Sequence, residues 1–183
     1  MAALKSVGWK VTIEEETPKK CIIIAAPHTS NWDGPYAIST GLILDLDMNW
    51  LGKHTLFKGR WKEVMEFFGG IPIDRSRSGN YVEQLAKEFQ KRDNLRLVIA
   101  PEGTRSFTEY WRSGFYHIAK AADVPIVAGF LDYKKKEAGL GKIIYPIGTL
   151  QEVLAQLREF YESKEGYNPA WFGPIRSRSE AQA

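Results

Sequence analysis

The sequence predicts an α/β fold in which helices flank a mixed, mostly parallel central sheet. Short apolar runs alternate with longer amphipathic segments along the chain, a pattern typical of this fold class. The two most apolar runs, residues 21–26 and 95–100, both lead through Ala-Pro into a polar cluster. Ligands of open α/β sheets bind at the carboxyl ends of the strands. We therefore expect the two polar clusters to lie at one edge of the sheet.

The composition is that of a single globular domain covering residues 1–183. Of the 183 residues, 44% are hydrophobic, and the longest apolar run is far shorter than the ~20 residues that span a bilayer. No stretch resembles a signal peptide. The single cysteine, Cys21, lies in a predicted buried strand and has no partner for an internal disulfide, which fits a reducing compartment. We expect a cytoplasmic protein whose residues 169–183 form a frayed tail.

Seven segments predict strands because they carry β-branched or alternating apolar residues between turn residues. They cover residues 9–14, 21–26, 49–52, 71–76, 95–100, 124–130 and 142–147. The first is expected at an edge of the sheet, and the segment 71–76 is expected to carry Arg75 to the end of its strand. A loop containing Lys134, Lys135 and Lys136 connects the last two strands.

Five segments predict helices from their apolar periodicity and their capping residues. They cover residues 35–46, 58–68, 80–92, 114–122 and 149–164. In the helix over 80–92, Tyr81, Leu85 and Phe89 share one face, so this helix is expected to be structural.

The first polar cluster, after the strand 21–26, offers a histidine and an aspartate. Residues five apart on an ideal helix point about 140° apart, so His28 and Asp33 could not meet if both were helical. With His28 in the turn and Ser30 or Asn31 as the N-cap, Asp33 falls in the first helical turn and can reach back to the imidazole. A capping aspartate and a loop histidine that never touch are the alternative.

The segment between Lys53 and Arg77 concentrates positive charge. It holds six basic and three acidic residues, so it accounts for the whole net charge of +3. Aromatic residues coincide with this charge, because Trp61, Phe67 and Phe68 follow Lys58 and Arg60 in the same segment. A peripheral, salt-sensitive contact with an anionic membrane is one interpretation. A solvated basic face, with Trp61 and Phe67 packed inward, is the other.

These clusters together suggest acyl transfer to a hydroxyl. A histidine held by an aspartate can deprotonate a bound hydroxyl, and arginines such as Arg75 and Arg105 can hold a phosphate beside it. No serine lies in a Gly-x-Ser-x-Gly elbow and Cys21 is expected to be buried, so no covalent nucleophile is evident. The acceptor hydroxyl would attack an activated acyl donor directly. A metal site is disfavoured because neither His54 nor His117 offers a credible third ligand.

Three motifs resemble those of the glycerolipid acyltransferase family, typified by bacterial 1-acylglycerol-3-phosphate acyltransferases. They are His28-Thr29-Ser30-Asn31-Trp32-Asp33, Gly70-Ile71-Pro72-Ile73-Asp74-Arg75 and Pro101-Glu102-Gly103-Thr104-Arg105-Ser106. The resemblance implies the family fold, His28 as general base and Asp33 as its partner. It assigns the acceptor phosphate to Arg75, Glu102, Gly103, Thr104 and Arg105. Val124-Pro125-Ile126 resembles a fourth motif, which is associated with the acyl donor.

The resemblance also implies the partners. The donor would be a fatty acyl thioester of coenzyme A or of acyl carrier protein, used as a co-substrate without a bound cofactor, and the acceptor a lysophospholipid such as lysophosphatidic acid. No nucleic acid is expected. Family members often carry hydrophobic N-terminal helices, whereas the 27 residues before His28 are not suited to membrane docking. A noncanonical lipid or a soluble metabolite as acceptor, or a noncatalytic lipid- or carrier-binding module, are therefore alternatives, and a location at the inner face of the membrane is an expectation.

Overall fold

A computed structural model describes residue 4 and residues 7–73 and 81–182. The strands are β1 (Lys10–Ile13), β2 (Lys20–Ala26), β3 (Met48–Lys53), β4 (Gly70–Ile73), β5 (Leu95–Ile99), β6 (Ile126–Asp132) and β7 (Glu137–Ile144). The α-helices are α1 (Asp33–Ile43), α2 (Trp61–Phe67), α3 (Tyr81–Lys91), α4 (Gly114–Ala122), α5 (Leu150–Tyr161) and α6 (Arg178–Ala181), and His54–Phe57 and Pro169–Trp171 form 3₁₀ turns.

The strands of the described residues form one seven-stranded sheet in the order β1-β7-β6-β2-β5-β3-β4. All neighbours are parallel except β6 and β7, which form an antiparallel hairpin. The predicted mixed, mostly parallel sheet is therefore confirmed. Strand β2 is central, with Ile24 opposite Ile99 of β5 and Ala26 opposite Phe130 of β6. The carboxyl ends of these three strands meet at one edge, as the sequence predicts.

Alternate residues of β2 serve two different cores because successive side chains of a strand point to opposite faces. Ile22 and Ile24 are fully buried and pack into a large cluster with side chains of α3, α4 and α5. Cys21 and Ile23 face the other side, where the residues that follow α1 cover them. Each such side chain contributes roughly 1.5–3 kcal/mol by leaving water. Burial also raises the pKa of the Cys21 thiol to about 12, so this cysteine packs as a hydrophobic residue.

Strand β7 begins five residues before the predicted segment 142–147. The hairpin turn is tighter than expected, because Asp132 Oδ1 accepts the backbone N–H groups of both Lys134 and Lys135. The glycines of this stretch suggest a loop in the sequence, but Gly139 lies where the backbone of β1 approaches closely. A Cβ atom there would collide with the carbonyl oxygen of Thr12. Gly139 is thus part of the strand for a steric reason.

The carboxyl-terminal segment, expected to fray, packs against the domain. Ile175 and Ser177 are buried, and the backbone N–H of the buried Trp111 donates to the carbonyl of Arg176. Arg158 of α5 donates through Nε to the carbonyl of Ile175. Ser177 then caps α6 in a capping box with Glu180. The Ser/Arg-rich composition suggests disorder, but these contacts fix the described part of the segment.

Candidate active site

The first polar cluster forms a turn between β2 and α1, and it brings His28 and Asp33 into contact. His28 Nδ1 lies 3.1 Å from Asp33 Oδ2. Asp33 is the first residue of α1 and is 4% exposed, whereas the His28 side chain is 22% exposed. The imidazole therefore has one nitrogen on a buried carboxylate while the ring remains open to the solvent side.

The N-cap of α1 differs from the prediction. Trp32 occupies the cap position and offers no side-chain hydrogen bond to the helix. Ser30 instead accepts the backbone N–H of Trp32 through Oγ at 3.1 Å, and Asp33 Oδ2 accepts the backbone N–H groups of Thr29 at 2.8 Å and Ser30 at 2.9 Å. The aspartate thus holds the whole turn in place as well as the imidazole.

A tyrosine that sequence reasoning missed completes the environment of this carboxylate. Tyr133 follows β6 and donates its hydroxyl to Asp33 Oδ1 at 2.7 Å. Burial alone would raise the pKa of Asp33, but the hydrogen bonds from His28, Tyr133 and the Ser30 backbone outweigh it and hold that pKa below its usual range. Asp33 is therefore an anion beside the imidazole at neutral pH. The pKa of Tyr133 rises in turn, through burial first and then through its bond to this anion.

The carboxyl of Glu102 holds the His28 turn from the β5 side. Its Oε1 accepts the backbone N–H of His28 at 2.9 Å, and the residue is 2% exposed. Its Oε2 is buried without a hydrogen-bond partner among the described residues. Burial raises the pKa of Glu102 to about 8, although the His28 N–H lowers it. The motif resemblance assigns Glu102 to the acceptor phosphate. In the structure this carboxyl is buried against the backbone N–H of His28, where it positions the turn.

The other residues of the second cluster are exposed at the edge of the sheet. Arg105 donates through Nη1 to Asn31 Oδ1, so the two clusters are linked directly. Thr104 Oγ1 accepts the backbone N–H of Ser106 at 3.2 Å. Gly103 has a φ of +69°, and a Cβ atom there would lie 2.6 Å from Arg112 Nε. Glycine suits this position, because the backbone conformation is left-handed and a side chain would displace the Arg112 guanidinium.

Strand β4 ends at Ile73, but Arg75 lies outside the described residues. Val124, Pro125 and Ile126 lie at the opposite end of the sheet from His28. Ile126 is opposite Ile22, about 13 Å along the strand from the end of β2, and both Val124 and Ile126 are buried. The structure does not bring this segment to the site.

A cleft of about 1180 Å³ opens beside the dyad. His28, Arg105 and Arg112 line it, and most of its remaining wall is apolar, for example Ala37 of α1, Phe115 of α4 and Phe130 of β6. Apolar clefts with a few polar groups are the usual form of small-molecule sites. Among the described residues, no three His, Cys, Asp or Glu side chains converge as metal ligands.

The site combines a His–Asp pair, a cation and an apolar cleft at the carboxyl edge of an α/β sheet. A protein-family model described as Acyltransferase matches residues 8–130. The chain belongs to this family. Family membership supports an acyltransferase activity.

The fold is similar to that of the 1-acyl-sn-glycerophosphate (LPA) acyltransferase, PlsC, from Thermotoga maritima. The superposition has a TM-score of 0.57 and 17% sequence identity, and it covers 86% of this chain and 71% of that chain. At this identity the similarity concerns the fold. A comparison with curated proteins found no match.

Proposed function

We propose that this protein transfers a fatty acyl group from an acyl thioester to a hydroxyl of a phosphate-bearing acceptor such as lysophosphatidic acid. The observation that carries the proposal is the 3.1 Å contact between His28 Nδ1 and Asp33 Oδ2 in the lining of a largely apolar cleft. A buried anion on Nδ1 fixes the ring orientation and leaves Nε2 as the basic atom. Such a pair is suited to general base catalysis.

The reaction then needs no covalent enzyme intermediate. His28 Nε2 takes the proton of the acceptor hydroxyl while the oxygen attacks the thioester carbonyl carbon. The tetrahedral intermediate collapses, the C–S bond breaks, and the thiolate leaves with the proton that the imidazolium returns. Asp33 stays ionised and stabilises the imidazolium by its charge. The products are an ester and a free thiol.

Arg105 supports a phosphate-bearing acceptor, because it is an exposed guanidinium on the rim of the cleft and beside the His28 turn. Planar guanidinium groups bind phosphate in a bidentate manner. Arg75 is assigned the same role from its motif. The acyl chain of the donor would occupy the apolar wall of the cleft, in place of the Val124–Ile126 contact expected from the fourth motif. The carrier, coenzyme A or acyl carrier protein, would be supplied in the cytoplasm, with the acceptor at the inner face of the membrane.

Thiol release from an acyl thioester tests the proposal. Palmitoyl-coenzyme A is incubated with the protein and a thiol reagent, with lysophosphatidic acid, with monoacylglycerol or without an acceptor. The proposal expects thiol release that depends on the acceptor and is fastest with lysophosphatidic acid. Equal rates with monoacylglycerol would contradict the phosphate-binding role. If the protein binds palmitoyl-coenzyme A tightly but releases no thiol, the assay is repeated with acyl-acyl carrier protein as the donor. Tight binding of both donors without thiol release would indicate a noncatalytic module.

A further inference from the structure

Helices α1 and α2 expose several large apolar side chains. In α2 and the residue after it, Trp61 is 66% exposed, Phe67 85% and Phe68 59%, and the described part of this helix buries no side chain. On α1 and its cap, Trp32, Ile38 and Leu42 are also exposed. We call this surface the apolar face, and with Val64 it comprises Trp32, Ile38, Leu42, Trp61, Val64, Phe67 and Phe68. Contiguous apolar patches of this kind usually mark an interaction site.

Both helices lie on the same side of the sheet. A Cβ atom built on Gly70 would point at Phe57 and at the backbone of Met65 in α2. The next residue, Ile71, points to the other face of the sheet and packs there with α3, α4 and α5. Helix α1 contacts β6 and β7 on the face where Cys21 is covered, since the residues that follow α1 pack there. The two helices therefore lie on the same face of the sheet, α1 over β6 and β7 and α2 beside β4.

The periodicity of α2 shows that its apolar stripe points away from the fold. Trp61, Val64 and Phe68 are spaced three and four residues apart and so share a stripe. Lys62 and Glu66 lie on another side of the helix and form an ion pair at 4.0 Å. The helix is thus amphipathic, and its apolar side is exposed to solvent as its polar side is.

Cations lie beside the apolar face at the edge of the sheet that carries the active site. Helix α2 connects the parallel strands β3 and β4, so it runs antiparallel to them and begins at their carboxyl edge. Lys58, Arg60 and Lys62 are exposed around this beginning. Trp32 lies at the same edge, directly before Asp33. Exposed aromatic side chains next to cations are the features that bind an anionic lipid surface.

We propose that the apolar face, with Lys58, Arg60 and Lys62, rests on an anionic membrane and holds the active-site edge at the lipid headgroups. Amphipathic helices lie in the interface with their apolar side inserted. Tryptophan favours the boundary between headgroups and acyl chains. The inference deepens the proposed function, because a lysophospholipid acceptor would then enter the cleft from the surface on which the protein lies. Binding of this kind is reversible and weakens as salt rises.

Vesicle co-sedimentation tests the proposal independently of catalysis. The full chain is mixed with vesicles of phosphatidylcholine alone or with 30% phosphatidylglycerol, at low and at high salt, and His28→Ala is measured in parallel. We expect binding to the anionic vesicles at low salt, release at high salt, and the same behaviour for His28→Ala. Binding by both proteins without any acyl transfer would leave this proposal standing and reject the proposed function.

Two variants locate the surface, and each has a matched control. Trp61→Ser/Phe67→Ser/Phe68→Ser should weaken binding at least tenfold, while Tyr145→Ser/Ile147→Ser, which removes equally exposed apolar side chains elsewhere, should not. Lys58→Glu/Arg60→Glu/Lys62→Glu should abolish the preference for anionic vesicles. The same charge change in α3 and in the residue after it, Lys87→Glu/Lys91→Glu/Arg92→Glu, should reduce binding much less. Circular dichroism confirms that every variant is folded.

Three results would overturn the proposal. One is no binding to anionic vesicles at low salt. Another is binding that the aromatic and charge variants on α2 leave unchanged, since the surface would then lie elsewhere. The third is a protein that does not bind vesicles but forms a dimer, or a complex with acyl carrier protein, that the same variants abolish. The apolar face would then contact a protein partner.

Discussion

The hydroxyl of Tyr133 lies 2.7 Å from Asp33 Oδ1, the carboxylate oxygen that His28 does not contact. The other oxygen, Oδ2, receives His28 and two backbone N–H groups. Tyr133 is itself fixed by ring contacts, since it meets Trp9 and Tyr36 edge to face at centroid distances of 5.0 and 5.8 Å. The orientation of the dyad is therefore set by the residue that follows β6 as well as by the turn.

Removing this hydroxyl should weaken the dyad without unfolding the protein. Tyr133→Phe keeps the ring cluster but loses a hydrogen bond to a charged group, which contributes roughly 1.5–3 kcal/mol. We expect kcat to fall roughly tenfold. Because that bond lowers the pKa of Asp33, its loss should raise this pKa and move the acid limb of the pH–rate profile to higher pH. Tyr167→Phe, in the same ring cluster, is the control. An unchanged profile in Tyr133→Phe would contradict a positioning role.

Substitutions of the dyad should separate catalysis from stability. His28→Ala should lower kcat roughly 100- to 10,000-fold, the usual cost of losing a general base, with little change in Tm. Asp33→Asn should lose less activity but more stability, because an amide gives a weaker acceptor to the Thr29 and Ser30 N–H groups. Thiol-release kinetics and thermal unfolding measure the two effects. Retention by His28→Ala of more than about a tenth of the wild-type rate would reject the base assignment.

The sequence predicts the contact between His28 and Asp33 because the two residues are close together in the chain. A buried strand, a turn and a helix start place His28 and Asp33 within six residues, and this local geometry allows them to meet. Tyr133 is 100 residues from Asp33, and its approach depends on β6 pairing beside β2, a strand order that periodicity does not reveal. Its position at the carboxyl end of β6 is a signal that could have been used, because every strand of a parallel set ends at the same edge.

The sequence is less informative about burial at the site. Glu102 stands between two exposed-looking motif residues, and only the packing shows that its side chain turns inward to the His28 N–H. Asn168 is similar, since it lies directly before the expected tail yet donates through its backbone N–H to Thr29 Oγ1 and through Nδ2 to the Thr29 carbonyl. Both contacts join segments far apart in the chain, so neither is visible from local pattern.

Loss of the Arg105 guanidinium should weaken use of phosphate-bearing acceptors. Arg105→Ala should reduce kcat/KM for lysophosphatidic acid by the equivalent of about 2 kcal/mol or more, because charge-assisted hydrogen bonds are removed. Arg105→Lys should recover little, since an ammonium does not reproduce the planar fork. Arg75→Ala should lower kcat/KM for lysophosphatidic acid in the same way. Arg92→Ala, directly after α3, is the control. If kcat/KM for monoacylglycerol falls as much as kcat/KM for lysophosphatidic acid, the two arginines do not bind the acceptor phosphate.

Glu102 should make the stability of the protein fall as the pH rises. Its pKa increases from an ordinary 4.5 to about 8 in the folded chain, so between these values the folded state keeps a proton that the unfolded state has lost. The free energy of unfolding should therefore decrease across this window, with a slope from this group of at most about 1.4 kcal/mol per pH unit. Glu102→Gln cannot titrate but still offers an oxygen to the His28 N–H, so its unfolding free energy should lack this slope and its activity should largely persist. Urea unfolding from pH 5 to pH 8 measures the difference, with the exposed Glu109→Gln as control. Parallel curves for wild type and Glu102→Gln would show that Glu102 is ionised in the folded protein.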